Sequence, residues 1–364
     1  MSAAPSSTVE LTVDLGALAR NFARLRAAAA PAECGAVVKA NAYGLGVGPV
    51  ARRLAREGCR TFFVATLAEG EELRQILPDA EILVFEGVLP GIGGAFTAAG
   101  LVPVLNSLEE LREWAGRSDP VAVHIDTGMS RLGLSAADVR ALAADRALLA
   151  RLEIATVMTH LACADDRAHP LTRLQLERFD ALRRELPPAR TSIGNSAGAF
   201  RGAAYCGDLA RPGIALYGGN PFVGRESPVE CVATLRGRVL QVRSVEEECT
   251  VGYGATYETR PPARLAVMGV GYADGYPRCL GNRAFAAFGG TRLPVVGRVS
   301  MELLNLDVSA LPPGEPAVGD WVELVCPAVT VDEVAAAADT ISYEILTRFG
   351  PRLRRVYVDG DEPA

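Results

Sequence analysis

Eight short apolar runs, each followed by a segment of helical periodicity, dominate the chain from residue 35 to about residue 220. Most of these runs are apolar on both faces, which is typical of buried parallel strands. Eight βα units in roughly 200 residues favour a closed (β/α)8 barrel of the TIM type, and a doubly wound parallel sheet is the alternative. The runs are GAVVKA, TFFVAT, EILVFEG, LVPVLN, VAVHIDTG, EIATVMTHL, TSIGNS and GIALYG.

The sequence after residue 230 has a different pattern. Strand-like stretches separated by Gly and Pro turns replace the alternation, and helical segments become few. We therefore predict an α/β barrel domain over residues 10–230 and a mainly-β domain over residues 231–364. A strand at about residues 8–14 is expected to join the β domain, ahead of a helix that opens the barrel.

Composition narrows the functional classes. The 364 residues are 49% hydrophobic, which is ample for a large core, and the formal net charge is −6. The basic residues are dispersed, so we expect no nucleic-acid partner. No stretch approaches 18 uninterrupted apolar residues, and the eight cysteines lack metal-ligand spacing. We expect a cytoplasmic protein with reduced thiols, no membrane segment and no bound metal.

Polar residues collect where the predicted strands end, which is where parallel barrels carry their chemistry. Lys39 ends an apolar run, and its amine suits a Schiff base if burial and nearby cations depress its pKa. A strand-end lysine with its ammonium in water is the alternative. The whole set comprises Lys39, Tyr43, Arg131, His160, Asn195, Ser196, Arg211, Gly213 and Ile214.

Two parts of this set indicate anion binding. Gly213 allows backbone N–H groups to approach an anion closely, and the Ser196 hydroxyl would complete a phosphate-binding cup. Arg131 lies on a Gly-rich loop, where a guanidinium can grip a carboxylate or phenolate in bidentate fashion or merely cap carbonyl groups.

Nine motifs occur in the order, and at nearly the separations, found in alanine racemases. They are AVVKANAYGLG, IDTGMSRLG, THLACAD, GNSAGA, ARPGIALYG, VGYGATY, VGYADGYPR, GRVSME and ISYEILT. The chain thus resembles the alanine racemase family over nearly its whole length. The resemblance implies a pyridoxal 5'-phosphate-dependent isomerase that interconverts L- and D-alanine, supplies D-alanine for peptidoglycan and works as a head-to-tail homodimer with shared active sites.

The resemblance also implies roles for individual residues. Lys39 matches the Schiff-base lysine and one catalytic base, and Tyr253 matches the second base, contributed by the partner subunit to the other face of the substrate. A free tyrosine has a pKa of roughly 10, so a cationic pair, His160 with Arg211, is expected to lower it. The residues that resemble cofactor ligands are Tyr43, His160, Asn195, Ser196, Arg211, Gly213, Ile214 and Tyr343. Those that resemble substrate contacts are Arg131, Met301 and Tyr272.

Two positions depart from the family pattern. His124 stands where the family often has a carbamylated lysine that orients the arginine, so another anion, or nothing, must orient Arg131. Glu302 replaces an aspartate and could shift Met301 through its extra methylene.

Four alternative activities are compatible with parts of the pattern. A racemase of serine or of broader range would use the same fold. A related barrel decarboxylase is disfavoured because neither CVATLRG nor CPAVTVDE fits its Cys–Asp pair. A non-catalytic cofactor carrier would need no second base such as Tyr253. A cofactor-free Schiff-base aldolase would use the phosphate cup for a sugar phosphate.

Overall fold

The computed structural model describes residues 7–359. The first strand, β1 (Val9–Asp14), leads directly into helix α1 (Leu15–Ala29). Asp14 ends the strand and starts the helix, because its carboxylate accepts a hydrogen bond of 2.7 Å from the backbone N–H of Ala17.

The next nine strand segments form one closed parallel sheet. The first two are halves of a single barrel strand that is interrupted at Gly35, where a Cβ atom would lie 2.8 Å from the Thr61 carbonyl oxygen. The earlier half pairs with the last strand and the later half pairs with its neighbour in sequence, which closes the barrel and excludes the doubly wound alternative. The segments are β2 (Glu33–Cys34), β3 (Ala36–Val37), β4 (Thr61–Val64), β5 (Glu81–Val84), β6 (Val102–Leu105), β7 (Val121–His124), β8 (Ile154–Met158), β9 (Arg190–Ser192) and β10 (Leu209–Ala210).

The structure corrects two of the predicted strands. The eighth barrel strand is Leu209–Ala210, whereas the apolar run GIALYG forms a 3-10 turn over Ile214–Tyr217. The run is apolar because it is buried, and burial alone does not distinguish a turn from a strand. The first barrel strand ends at Val37. Lys39 therefore follows this strand and is not its last residue.

Helices alternate with the barrel strands. Thr66 and Ser135 open two of these helices with complete capping boxes, in which the side chain at the third helical position bonds back to the backbone of the cap. The helices are α2 (Lys39–Tyr43), α3 (Val47–Arg56), α4 (Leu67–Ile76), α5 (Gly93–Ala99), α6 (Leu108–Trp114), α7 (Ala136–Ala144), α8 (Arg146–Leu149), α9 (Leu171–Arg183) and α10 (Ser196–Arg201).

A polar cluster closes the amino-terminal end of the barrel. The Thr61 hydroxyl lies 2.6 Å from a Glu33 carboxylate oxygen and 2.9 Å from one of Glu81, and Arg190 pairs with Glu81 at 2.7 Å. Arg190 also lies 3.5 Å from Glu33, so one guanidinium pairs with both carboxylates of the cluster. Ligand chemistry in barrels of this kind is found at the opposite, carboxyl end of the strands.

The remaining strands build the second sheet, with β1 inserted between the strands that start and end this region. Seven strands follow residue 230 in the described part of the chain. The first six of them pair in a closed circuit, and the seventh lies outside it. The mainly-β character predicted from sequence is therefore confirmed, while the division at residue 230 stays a prediction. The strands are β11 (Ala233–Val245), β12 (Ala263–Met268), β13 (Phe285–Phe288), β14 (Thr291–Val296), β15 (Leu304–Asp307), β16 (Trp321–Val325) and β17 (Arg354–Val358).

Two short helices, α11 (Val331–Ala337) and α12 (Ser342–Thr347), complete this part of the chain. Helix α12 packs beside the segment that carries Lys39, where the Gly44 Cα lies so close to the Leu346 carbonyl that a Cβ atom would not fit. The second sheet region thereby contributes a wall to the mouth of the barrel. Within residues 7–359, none of the helices combines the length and the apolarity needed to cross a bilayer.

Candidate active site

A cavity of about 430 Å³ opens at the carboxyl ends of the barrel strands. It is lined by all of the residues predicted to bind a cofactor, together with Arg131 and His124. Tyr253, Met301 and Tyr272 do not line it. The cavity therefore brings together the predicted set from the barrel and Tyr343 from helix α12, but not the predicted set from the second sheet region.

Lys39 projects from the turn that follows β3 and is the only lysine in the chain. Burial lowers the pKa of its amine, and the positive charge of Arg131 lowers this pKa further. Its Nζ atom lies 5.9 Å from the centre of the Phe85 ring. The amine therefore loses its proton more readily than a lysine in water.

The turn after Lys39 is left-handed. Ala40, Asn41, Ala42 and Tyr43 have φ angles between 52° and 54°, a region that costs non-glycine residues about 1–2 kcal/mol each. The Asn41 side chain helps to hold the turn by accepting a 2.7 Å hydrogen bond from the Val47 N–H. This conformation places both Lys39 and Tyr43 in the cavity wall.

The residues of the predicted anion cup, Ser196 and Gly213, lie together in the cavity wall, and the cup itself stays a prediction. The buried Ser196 hydroxyl oxygen accepts hydrogen bonds from the N–H groups of Gly213 (2.9 Å) and Ala215 (3.3 Å). Its hydroxyl hydrogen is then free to meet an anionic oxygen. A Cβ atom on Gly213 would overlap the Tyr43 hydroxyl and lie 3.0 Å from Tyr43 Cζ. The Tyr43 hydroxyl therefore occupies the space that a side chain at residue 213 would need.

Arg211 is a buried cation held by neutral groups. Its guanidinium donates to the Ser192 hydroxyl and to the Thr159 carbonyl oxygen, both at 2.6 Å. None of the ion pairs found within residues 7–359 includes this side chain. Burial lowers its pKa to about 10, so it stays charged at neutral pH. An uncompensated buried cation is costly, which marks the position as one for an electron-rich ligand atom.

Two histidines beside Arg211 are neutral. Burial, followed by the charge of Arg211, lowers the pKa of His160 to about 3 and that of His124 to about 4. The expectation that His160 and Arg211 form a cationic pair is thus wrong for His160, because the positive charge of Arg211 opposes a second one. The His124 Nδ1 atom lies 2.9 Å from Asn106 Oδ1, and the Asn106 amide nitrogen donates to the Val104 carbonyl. Nδ1 therefore carries the hydrogen of His124, and Nε2 is an acceptor.

The loop that carries Arg131 is held by Asp126. The Asp126 carboxylate accepts hydrogen bonds from the N–H groups of Gly128, Met129 and Ser130 at 2.8 to 3.1 Å. Although burial raises its pKa, these bonds lower it overall. The Arg131 side chain makes no hydrogen bond or ion pair within residues 7–359 and lines the cavity. The loop backbone is therefore fixed by Asp126, and the Arg131 guanidinium is free to bind a ligand.

The predicted site residues of the second sheet region lie on its surface. Tyr253 is 71% exposed, Met301 51% and Tyr272 38%. Met301 and Tyr272 are held together, because the N–H groups of Tyr272 and Ala273 donate to the carbonyl oxygens of Ser300 and Met301. The Glu302 carboxylate points to Arg352 at 3.9 Å. The backbone of Met301 is therefore fixed by bonds that do not involve the Glu302 side chain.

Sequence reasoning missed two polar residues of this site. Glu86 follows strand β5 and lines the cavity, and Glu69 contacts the turn that carries Lys39. The T-x-x-E pattern from Thr66 to Glu69 marks a helix start and would have located Glu69, but it gives no sign of a contact 29 residues away.

Comparison with known proteins gives one consistent result. The model of the alanine racemase N-terminal domain matches residues 13–221, and that of the alanine racemase C-terminal domain matches residues 232–357. The alanine racemase of Rhodospirillum rubrum is 47% identical over 359 residues, which are 96% of each chain. A protein of Mesorhizobium japonicum named as a catabolic alanine racemase is 47% identical over 96% of this chain and 93% of its own length.

Solved structures agree with these relatives. The alanine racemase of Bartonella henselae, crystallised with covalently bound pyridoxal phosphate, superposes with a TM-score of 0.92 at 37% identity, covering 97% of this chain and all of that one. The biosynthetic alanine racemase of Pseudomonas aeruginosa superposes with a TM-score of 0.90 at 36% identity, covering 96% and 99% of the two chains.

Proposed function

The chain belongs to the alanine racemase family, and from this premise we propose how its residues interconvert L- and D-alanine. Racemisation removes a proton from one face of the substrate Cα and returns a proton to the other face, so it needs two acid–base groups on opposite sides. Lys39 supplies one of them. Tyr253 of the partner subunit supplies the other.

The cavity fits pyridoxal 5'-phosphate. Lys39 would hold the cofactor covalently, and Arg211, a buried donor without an anionic partner, would face its ring nitrogen. The phosphate would be held by the cup, whose members are Tyr43, Asn195, Ser196, Gly213, Ile214 and Tyr343. When bound, the cofactor withdraws electrons from the substrate Cα and so acidifies its proton.

Arg131 orients the substrate, and His160 connects Arg211 to the tyrosine base. The free guanidinium of Arg131 binds the substrate carboxylate, because no protein carboxylate in the described part of the chain competes for it. His160, being neutral, links Arg211 to the tyrosine base by hydrogen bonding and adds no charge.

The active site is shared in a homodimer. Tyr253 lies outside the cavity and is largely exposed within one chain, which supports its delivery to the site by a second copy. Met301 and Tyr272 would arrive on the same surface, since backbone hydrogen bonds join their segments. In this arrangement Met301 contacts the substrate carboxylate and Tyr272 lines the entrance.

The cellular role is also a proposal. Supply of D-alanine for peptidoglycan is consistent with the biosynthetic name of the Pseudomonas relative, whereas the Mesorhizobium relative carries a catabolic one. A cytoplasmic location is supported by the eight cysteines, which are all free thiols.

The observation that carries the proposal is that the only lysine of the chain lines the same cavity as Arg211, a buried arginine with no ion pair among the described residues. We expect the purified protein to racemise alanine from either enantiomer and to do so faster than serine or basic amino acids. Borohydride treatment should fix the cofactor mass to the peptide containing Lys39, and Lys39→Ala, which leaves no lysine, should lose this mass and the activity. A variant that keeps a reducible cofactor bond would refute the assignment of Lys39.

A further inference from the structure

The carboxylate of Glu69 joins two loops of the barrel mouth. Its Oε2 atom accepts a 2.7 Å hydrogen bond from the Ala65 N–H at the start of its own helix, α4. Its Oε1 atom accepts another, also of 2.7 Å, from the N–H of Ala40 in the turn that carries Lys39. We propose that Glu69 is a positioning residue for racemisation, which fixes the peptide between Lys39 and Ala40 and places a negative charge at the turn that carries the amine. The proposal rests on the role assigned to Lys39 above.

The left-handed turn needs this acceptor. Within the turn, the Ala42 N–H donates to the Val38 carbonyl and the Gly44 N–H donates to the Ala40 carbonyl. The N–H of Ala40 has no backbone partner within the described residues. It donates to the Glu69 carboxylate instead. Because Ala40 adopts a φ of 52° at an energetic cost, the bond to a charged carboxylate helps to keep the peptide after Lys39 in that orientation.

Glu69 also balances the charges around the amine. Burial and Arg131 lower the pKa of Lys39, and the Glu69 carboxylate raises it. Of the other groups around the cavity, Arg211 is positive, His124 and His160 are neutral, and Glu86 is a further lining residue. Glu69 therefore opposes the effect of burial and of Arg131 on the amine and keeps it able both to accept and to return a proton.

The chain offers two internal controls. Glu110 occupies the same capping position in helix α6 and accepts a 3.0 Å hydrogen bond from the Asn106 N–H, but the loop it holds carries no lysine. Asp138 closes the capping box of helix α7 with the shorter side chain, bonding the Ser135 N–H at 3.0 Å. An aspartate at residue 69 can thus keep the helix cap and the charge while losing the reach to Ala40.

The test compares Glu69→Gln, Glu69→Asp and Glu110→Gln with the parent protein. The pKa of Lys39 is measured on full-length protein freed of cofactor, from the pH dependence of acetylation, with the N-terminal peptide separated by mass. Since the chain has no second lysine, the signal is unambiguous. Racemisation kinetics are measured on the loaded enzymes.

We expect Glu69→Gln to lower the pKa of Lys39 by about half a unit or more, because a neighbouring negative charge is lost. Glu69→Asp should leave this pKa nearly unchanged but reduce kcat about tenfold, because the amine is less well placed. Glu110→Gln should change the pKa of Lys39 by less than about 0.3 pH units and kcat by less than about twofold, because Glu110 holds a different loop.

Two results would overturn the proposal. If the pKa of Lys39 is the same in Glu69→Gln as in the Glu110→Gln control, the negative charge of Glu69 does not act on the amine. If Glu69→Asp turns over at the parental rate, the bond to Ala40 does not position the lysine and Glu69 is only a helix cap. Attachment of the cofactor to a residue other than Lys39 would instead refute the proposed function, and the acetylation data would still report on Glu69.

Discussion

Gly213→Ala should weaken cofactor binding through the phosphate cup. The added Cβ would overlap the Tyr43 hydroxyl and lie 3.0 Å from Cζ, where ordinary contacts begin at 3.4 Å. The Tyr43 ring cannot easily move, because it is buried and stacks on Tyr217 with 4.6 Å between ring centres.

Relief of this overlap requires a shift of about 1 Å in either the ring or the backbone at residue 213. Overpacking of this kind costs about 1–3 kcal/mol. If the cost falls on the cup, the Kd for pyridoxal 5'-phosphate rises about 5- to 140-fold, since about 1.4 kcal/mol corresponds to a factor of ten.

The assay is a titration of cofactor-free protein with pyridoxal 5'-phosphate and, separately, with pyridoxal, followed by absorbance. Affinity for pyridoxal should change little, because it has no phosphate to place in the cup. Gly94→Ala is the matched control, since a Cβ there meets nothing within 4 Å. An unchanged Kd for pyridoxal 5'-phosphate in folded Gly213→Ala, or an equal loss for both compounds, would refute the reasoning.

Three further predictions follow from the site. Mixing inactive Lys39→Ala and Tyr253→Phe chains should restore up to about a quarter of the parental activity, because half of the dimers are mixed and each has one intact site; no recovery after demonstrated subunit exchange would contradict shared sites. Burial lowers the pKa of His124 from 6.5 in the unfolded chain to about 4 in the folded one. As the pH falls from 6.5 to 4, the unfolded chain binds a proton at this residue that the folded chain does not, so the free energy of unfolding falls by about 3 kcal/mol. Denaturant titrations should therefore show a smaller loss of stability between pH 7 and 4.5 for His124→Gln than for the parent, and equal slopes would argue against a neutral buried His124. Tyr217→Phe removes a 2.8 Å hydrogen bond to the Val37 carbonyl and should cost about 1 kcal/mol of unfolding free energy while Kd for the cofactor stays the same; a large change in Kd would mean that Tyr217 also positions Tyr43.

The sequence alone determined the class of fold and most of the cavity lining. Apolar runs spaced by helical segments indicate strands in a parallel barrel, and the polar residues after those runs must meet at one rim because all the strands point the same way. For this reason Arg131, His160, Ser196 and Arg211 could be grouped before any contact was known. These inferences depend only on the local period of the chain and on the direction of its strands.

Tertiary structure decided what depends on contacts between distant segments. The eighth strand has two residues, too few for a period to register, and is defined by its pairing with Glu33–Cys34 and with β9. The neutral state of His160 follows from burial beside Arg211, 51 positions later in sequence. The left-handed turn after Lys39 is stabilised by a carboxylate from another loop, 29 positions away, which accepts the Ala40 N–H. Side-chain charge, backbone strain and hydrogen-bond satisfaction are set by which groups become neighbours on folding, and a linear pattern does not contain that information.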